Sequence, residues 1–156
     1  MKDDILKELE IPWNDFIPEY IKPTPKQAAF MMLPHREAMY GGAAGSGKSI
    51  VLSALALQYA NVPGYAGIIF RRTLTEAALG GSILDVLLEW LSPRLGRGGD
   101  VKFDGQYNTF YFLEYNSQLS IAYLKNEIDH ERYKGTSFHN IFFDELTDFA
   151  EDQYRF

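Results

Sequence analysis

The spacing of apolar positions changes several times along this chain of 156 residues, and each change predicts an element. Within residues 2 to 10, Ile5, Leu6 and Leu9 fall at helical spacing and predict a short amphipathic helix. The stretch IPWNDFIPEYIKPTP has prolines at 12, 18, 23 and 25, which predicts an irregular run over the surface. Its Trp13, Phe16 and Tyr20 make it too aromatic for a free linker. Thr24 is a candidate N-cap with Pro25 at the first helical position, opening a helix PKQAAFMML that Pro34 limits. REAMYGG then reads as a short strand. From Lys48, SIVLSALALQYA reads as a strongly apolar helix that ends near Asn61 and Pro63.

YAGIIFRR is a buried-strand pattern with a charged exit, and Thr73 to Trp90 reads as a long helix interrupted or kinked around Gly80 and Gly81. A GRGGD loop follows at 96 to 100. Between Lys102 and Leu124 the period shortens to that of strands, in KFD, TFYFLEY and QLSIAYL, the last two joined at Asn116 and Ser117 by a hairpin turn. Helix-period text resumes in NEIDHERYKG. The last strand, HNIFFDEL, leads into the acidic start of another helix, DFAEDQYRF. Strands that alternate with helices predict an α/β domain with a mostly parallel sheet, and the 101–124 region an antiparallel hairpin region added to it. No internal repeat or low-complexity tract is present.

Composition narrows the class. With 46% hydrophobic and 15% aromatic residues the chain can bury a core of its own. No apolar run is long enough to span a bilayer, and the acidic N-terminus MKDDILKELE does not read as a signal peptide, so a cytosolic protein without a membrane partner is expected. There is no cysteine, which excludes disulfides, thiolate zinc sites and thiol catalysis. His35, His130 and His139 show no ligand or catalytic spacing and are read as structural or surface residues. A formal net charge of −6 argues against a constitutively basic nucleic-acid module and leaves room only for local contact.

The glycine-rich stretch YGGAAGSGKSI raises the question of chemistry. Gly42, Ala43, Ala44, Gly45, Ser46, Gly47, Lys48 and Ser49 fit G-x-x-x-x-G-K-S/T, after a strand pattern and at the opening of a helix. Glycines let successive backbone N–H groups turn inward around an oxyanion, and the helix adds its positive N-terminal end. Lys48 supplies a point charge to the outer phosphates, and the Ser49 hydroxyl can ligate Mg²⁺. Such a loop needs an acid at the end of a buried strand, and Ile141 to Glu145 has that form. Asp144 is the magnesium candidate and Glu145 the candidate base that orients and deprotonates water. With no N-K-x-D sequence to select guanine, ATP is the expected nucleotide. Gln27 is a candidate for the adenine edge, with Phe16 or Tyr20 against the ring, or else an exposed helix glutamine. Arg71, Arg72 and Arg132 are candidates for an arginine finger or sensor, the first two at a strand exit and the third, with Lys134, shortly before the acid pair. Solvated arginines are the alternative reading.

TPKQAAF, GGAAGSGKS, IIFRRT, YKGTSFHNIFFDELTDF and EDQYRF together resemble the terminase large subunit, the DNA-packaging motor of tailed bacteriophages. The resemblance runs from about Pro23 to the last residue, with little contribution from 74 to 108. It implies a P-loop NTPase core of the additional-strand, catalytic-glutamate type. Lys48 and Ser49 then belong to the phosphate loop, Asp144 is the magnesium acid, Glu145 the catalytic base, and Gln27 part of the adenine-binding segment. It also implies ATP and Mg²⁺ as cofactors and translocation of double-stranded DNA. The implied partners are a small terminase subunit and the portal protein, with the motor working as a homo-oligomeric ring in the host cytoplasm that docks transiently on the procapsid. The expected organisation is a lead-in over 1–24 and a partial ATPase domain over 25–156. The remaining strands and the metal-dependent nuclease domain of the family are absent, so the chain reads as truncated. Two other readings stay open: a helicase-like nucleic-acid-dependent ATPase, and a truncated non-catalytic nucleotide-binding or interaction protein.

Overall fold

The computed structural model describes residues 13–42, 45–72, 82–126 and 129–155. The helix expected at 2–10 therefore lies outside the described residues, as do Ala43, Ala44 and the segment 73–81. In chain order the elements are α1 (Pro25–Met31), α2 (Lys48–Leu57), β1 (Ala66–Arg71), α3 (Ile83–Leu91), β2 (Val101–Asp104), β3 (Thr109–Phe112), β4 (Ser117–Tyr123), β5 (Asn140–Phe143) and α4 (Glu151–Arg155). Short 3₁₀ turns follow α3 at Ser92–Arg94, precede β5 at Asp129–Tyr133, and follow it at Leu146–Asp148.

One mixed sheet holds these strands in the order β2-β3-β4-β1-β5. β1 lies between β4 and β5 and is parallel to both, with Ile69 opposite Ile121 on one side and Phe142 on the other. β3 runs antiparallel to β2 and β4 and closes the far end as two successive hairpins. The domain is thus α/β, with a parallel part and an antiparallel part, as the sequence pattern predicts. The hairpin turns need left-handed backbone, and asparagine supplies it at both: Asn108 has φ 48° and Asn116 has φ 48°.

Alternation along the strands divides the core. Ile69, Leu119, Ile121, Phe110 and Phe112 face α2 and α3 in the larger cluster, with Val51, Leu57, Leu87 and Leu91 from the helices. Ile68, Phe70, Ala122 and Leu124 face the other way and are covered by Tyr133, Phe138, Phe143 and Phe149. The proline-rich lead-in is irregular, as expected, but it does not stay on the surface. Phe16 and Ile17 are buried, and the Asn14 amide donates to the carbonyls of Leu57 at 2.7 Å and Gln58 at 3.1 Å, satisfying the open end of α2.

Two expected elements differ among the described residues, and a third is described only in part. REAMYGG forms no strand among its described residues, and Tyr40 is held instead by α1, its ring 5.0 Å from Phe30 and beneath the Lys26 ammonium. Of the helix expected over Thr73 to Trp90, residues 73–81 lie outside the described residues, and α3 is described from Ile83, just past Gly80 and Gly81, where Ser82 and Asp85 make a reciprocal capping box. NEIDHERYKG gives only the 3₁₀ turn Asp129–Tyr133 among its described residues. Asp129 caps it by accepting the Asn126 N–H at 2.8 Å.

Candidate functional site

α2 returns to the sheet through a short connection, so its C-terminal end lies at the amino ends of the strands it covers. Ser117, the first residue of β4, donates its hydroxyl to the Ala60 carbonyl just past α2, and the Tyr65 hydroxyl, beside the start of β1, donates to Ala56 at 3.5 Å. Ten residues of helix span about 15 Å, close to the length of β1. The N-terminus of α2, with Lys48 and Ser49, therefore lies toward the carboxyl edge of the parallel strands. Open α/β sheets form their ligand crevices along that edge.

The glycine positions described here fit a close backbone approach. Gly47 precedes α2 with φ 77° and Gly45 has φ 76°, conformations that a side chain strains. A Cβ on Gly47 would stand 2.7 Å from the Gln27 amide nitrogen, and one on Gly42 would stand 2.6 Å from the Ser46 hydroxyl. Lys48 folds back so that its ammonium donates to the Gly42 carbonyl at 2.9 Å, across the loop that it would serve. Ala43 and Ala44 of the same motif lie outside the described residues.

Gln27 is buried and is not the solvated helix residue that one reading of the sequence allowed. As the third residue of α1 it completes a capping box: its Oε1 accepts the Thr24 N–H at 2.7 Å, while the Thr24 hydroxyl accepts the Gln27 N–H. Its amide nitrogen is thereby aimed at Gly47. Of the two aromatics suggested to lie beside it, Phe16 sits in the core with its ring 4.6 Å from Phe112 and the Arg94 guanidinium stacked at 4.3 Å, which leaves no face for a base. Tyr20 is exposed. Among the histidines, Nδ1 of His139 accepts the Ala66 N–H at 3.1 Å at the opposite edge, a structural role.

At the carboxyl edge the exits of β1 and β5 are tied together. The Asp144 N–H donates to Phe70 O at 3.0 Å, extending the ladder by one residue. The Asp144 carboxylate then pairs with the Arg71 guanidinium at 3.0 Å, with side chains only 13% and 7% exposed. Both follow the alternation of Ile69 and Phe142, the residues that face the larger cluster beneath α2 and α3, so the pair stands on the same face as the glycine loop. In that seclusion the pair is costly to break from one side, since either charge left alone stays desolvated.

Glu145 follows in left-handed backbone, φ 59° and ψ 55°, and is exposed. A non-glycine residue held there stores strain, and such strain persists only where flanking structure imposes it. Arg72 points to the other face of the sheet, where Nη1 donates to Gln153 Oε1 at 2.8 Å. Arg132 lies on the 3₁₀ turn before β5 with its side chain 78% exposed, 3.9 Å from Asp129. Of the three arginines named from the sequence, Arg71 reaches the acid pair, Arg72 serves the opposite face, and Arg132 projects outward. Sequence reasoning missed Gln153, which is fully buried on a helix of charged residues. No helical period marks it, since Phe149 is extended and α4 begins only at Glu151.

Among the described residues no cluster of histidine or acidic side chains is arranged to hold a metal ion by itself, and no helix is long and apolar enough to cross a membrane. Fold and site define an α/β domain with a glycine loop and a partly buried acid gathered toward the carboxyl edge of parallel strands. The chain belongs to the family described as terminase large subunit, T4likevirus-type, N-terminal, whose match covers residues 39–155. That span takes in the glycine loop, the β1 exit, the acid pair and α4. No curated protein and no solved structure matches the chain.

Proposed function

We propose that this chain is the ATP-hydrolysing motor portion of a phage terminase large subunit and serves packaging of double-stranded DNA. The observation that carries the proposal is that the sheet gathers the glycine loop and the partly buried Asp144 toward one edge and one face, within a span matched to that family. The residues present fit a nucleotide's phosphates: the positive φ of Gly45 and Gly47 and the crowding at Gly42 and Gly47 suit a backbone that wraps an anion directly. Lys48 and the N-terminus of α2 would hold the outer phosphates, and Gln27, positioned by its capping box, would stand beside the loop toward the base. Ser49 and Asp144 would hold Mg²⁺, which when bound neutralises charge on the phosphate oxygens. Glu145 would accept the proton of the attacking water.

Before Asp144 can take that part, the Arg71 guanidinium must shift, because it now neutralises the same carboxylate. Arg71 is thus the arginine suited to act within the same subunit, and Arg132 the one suited to reach a neighbour in a ring. The small terminase subunit, the portal protein, a homo-oligomeric ring and a host-cytoplasmic setting with transient procapsid docking belong to the same proposal. The family match favours this reading over a helicase-like ATPase or a non-catalytic interaction protein.

The experiment is a titration of the purified chain with a fluorescent ATP analogue, with and without Mg²⁺, beside the Lys48→Ala variant. Affinity at least tenfold tighter in the unsubstituted chain is expected, about 1.4 kcal/mol of binding. Equal affinities would overturn the proposal.

A further inference from the structure

The strained Glu145 lies on a turn that is pinned at both ends by two consecutive arginines working on opposite faces of the sheet. On the glycine-loop face, Arg71 grips Asp144 at the start of the turn. On the other face, Arg72 grips Gln153 at its end. Gln153 is 0% exposed, and its carboxamide ties together three separate strand exits. Its Oε1 accepts from Arg72 after β1 at 2.8 Å and from the Ala150 N–H after β5 at 3.1 Å, and its Nε2 donates to the Asn126 carbonyl after β4 at 2.8 Å. A buried amide satisfied on both ends this way is expensive to replace and fixes the geometry around it.

Between the two anchors the chain has little freedom. Asp148 N–H donates back to Glu145 O at 2.9 Å, and the Phe149 ring packs edge-on against Phe143 at 5.2 Å. Left-handed backbone at a glutamate relaxes unless such anchors hold it. We infer that Gln153 is a positioning residue for Glu145, acting through the Arg72 hydrogen bond from the sheet face opposite the glycine loop. It touches neither nucleotide nor metal. The inference rests on the proposed ATPase reading and adds the residue that aligns its base.

Its consequence is a division of effects. Loss of Gln153 releases the Glu145 turn and slows the step that needs a placed carboxylate, while the nucleotide, held on the other face by Lys48 and the loop, binds as before. The test uses the full chain with Gln153→Met, which keeps length and loses the hydrogen bonds, and Gln153→Glu, which keeps an acceptor for Arg72. Each is measured for MgATP affinity, single-turnover hydrolysis and melting temperature, alone and combined with Glu145→Gln. The Gln153→Met rate is expected to fall by about tenfold, the equivalent of one lost charge-assisted hydrogen bond, with affinity changed by no more than about twofold.

Gln153→Glu should recover most of that rate. In the Glu145→Gln background, Gln153→Met should slow the residual rate no further, because both changes remove one function. A rate loss that multiplies with that of Glu145→Gln, or an affinity loss as large as the rate loss, overturns the inference. If Gln153→Met does not fold, Arg72→Met, which removes the same hydrogen bond from the other side, carries the double-variant comparison. An unsubstituted chain that binds MgATP without turning it over overturns the hydrolytic step and this inference while leaving nucleotide binding intact. One that fails to bind overturns the whole ATP reading.

Discussion

At its β2-β3-β4 end the sheet is a pair of hairpins over a dry, aromatic-rich core, whereas at its β1-β5 end the same sheet ends in charges, strained backbone and an acid pair. Phe110 and Phe112 are fully or almost fully buried at the first end, and polar pairs such as Thr109 with Ser120, 2.9 Å apart, lie across adjacent strands. At the second end a buried Arg71 pairs with a partly buried Asp144, Glu145 holds a left-handed conformation, and β5 has no partner on its outer side among the described residues, leaving Ile141 half exposed. The difference teaches where this domain keeps stability and where the proposed chemistry would lie. Local hydrogen bonds and apolar burial suffice for the hairpins, while the parallel end holds side chains in costly positions that packing alone would not favour.

The largest expected effect is on chemistry alone. Glu145→Gln should lower ATP turnover by about 10²- to 10⁴-fold, the range of a positioned general base, with nucleotide affinity retained. Steady-state kinetics beside a binding titration would separate the two, and a variant that turns over normally removes Glu145 from the site. At the other end Phe110→Ala should cost about 3–5 kcal/mol of stability in denaturant unfolding, by leaving a cavity in the core. At temperatures where it stays folded its nucleotide affinity should match that of the unsubstituted chain. A large affinity loss there would break the proposed separation.

Two glycines sharpen the contrast. Gly47 and Gly64 have nearly the same backbone, φ 77° and φ 75°, but only a Cβ on Gly47 meets a neighbour, the Gln27 amide. Each change to alanine should cost about 1–2 kcal/mol of backbone strain, read as a drop in melting temperature. Gly47→Ala alone should also weaken nucleotide binding, by about tenfold if it displaces Gln27 and closes the loop. Equal binding by the two variants would mean that the loop does not approach its ligand closely.

The smallest effect concerns pH. Burial pushes the Tyr65 hydroxyl above its ordinary ionisation range, with the nearby Tyr59 adding to the shift. Because the folded-state value is raised, the associated stability is fully present below about pH 10 and is lost as pH climbs beyond it. Unfolding midpoints between pH 9 and 11 should therefore fall for the unsubstituted chain and flatten in Tyr65→Phe. An identical slope in both would show that Tyr65 ionises as freely folded as unfolded.

Most of the architecture was legible in the order of residues because its causes are local. Alternation over TFYF and QLSIAY, prolines and glycines at the turns, and the Thr24-Pro25 start all act within a few residues, so strands and caps fell close to where the pattern put them. The fate of Ala38 to Gly42 was less legible, since the packing of Tyr40 on Phe30 competes with periodicity. The candidate loop and acids were legible as motifs, since their chemistry requires particular residue types in sequence.

What the sequence alone determined is the α/β class, the glycine loop and the identity of the acids, along with the resemblance that the family match bears out. Only the tertiary structure decided which charges meet. Asp144 and Arg71 are far apart in sequence, as are Arg72, Asn126 and Gln153, and no period or propensity links them. They meet because two parallel strands on either side of β1 bring their exits to one edge, where the alternation of β1 sends Arg71 to one face and Arg72 to the other.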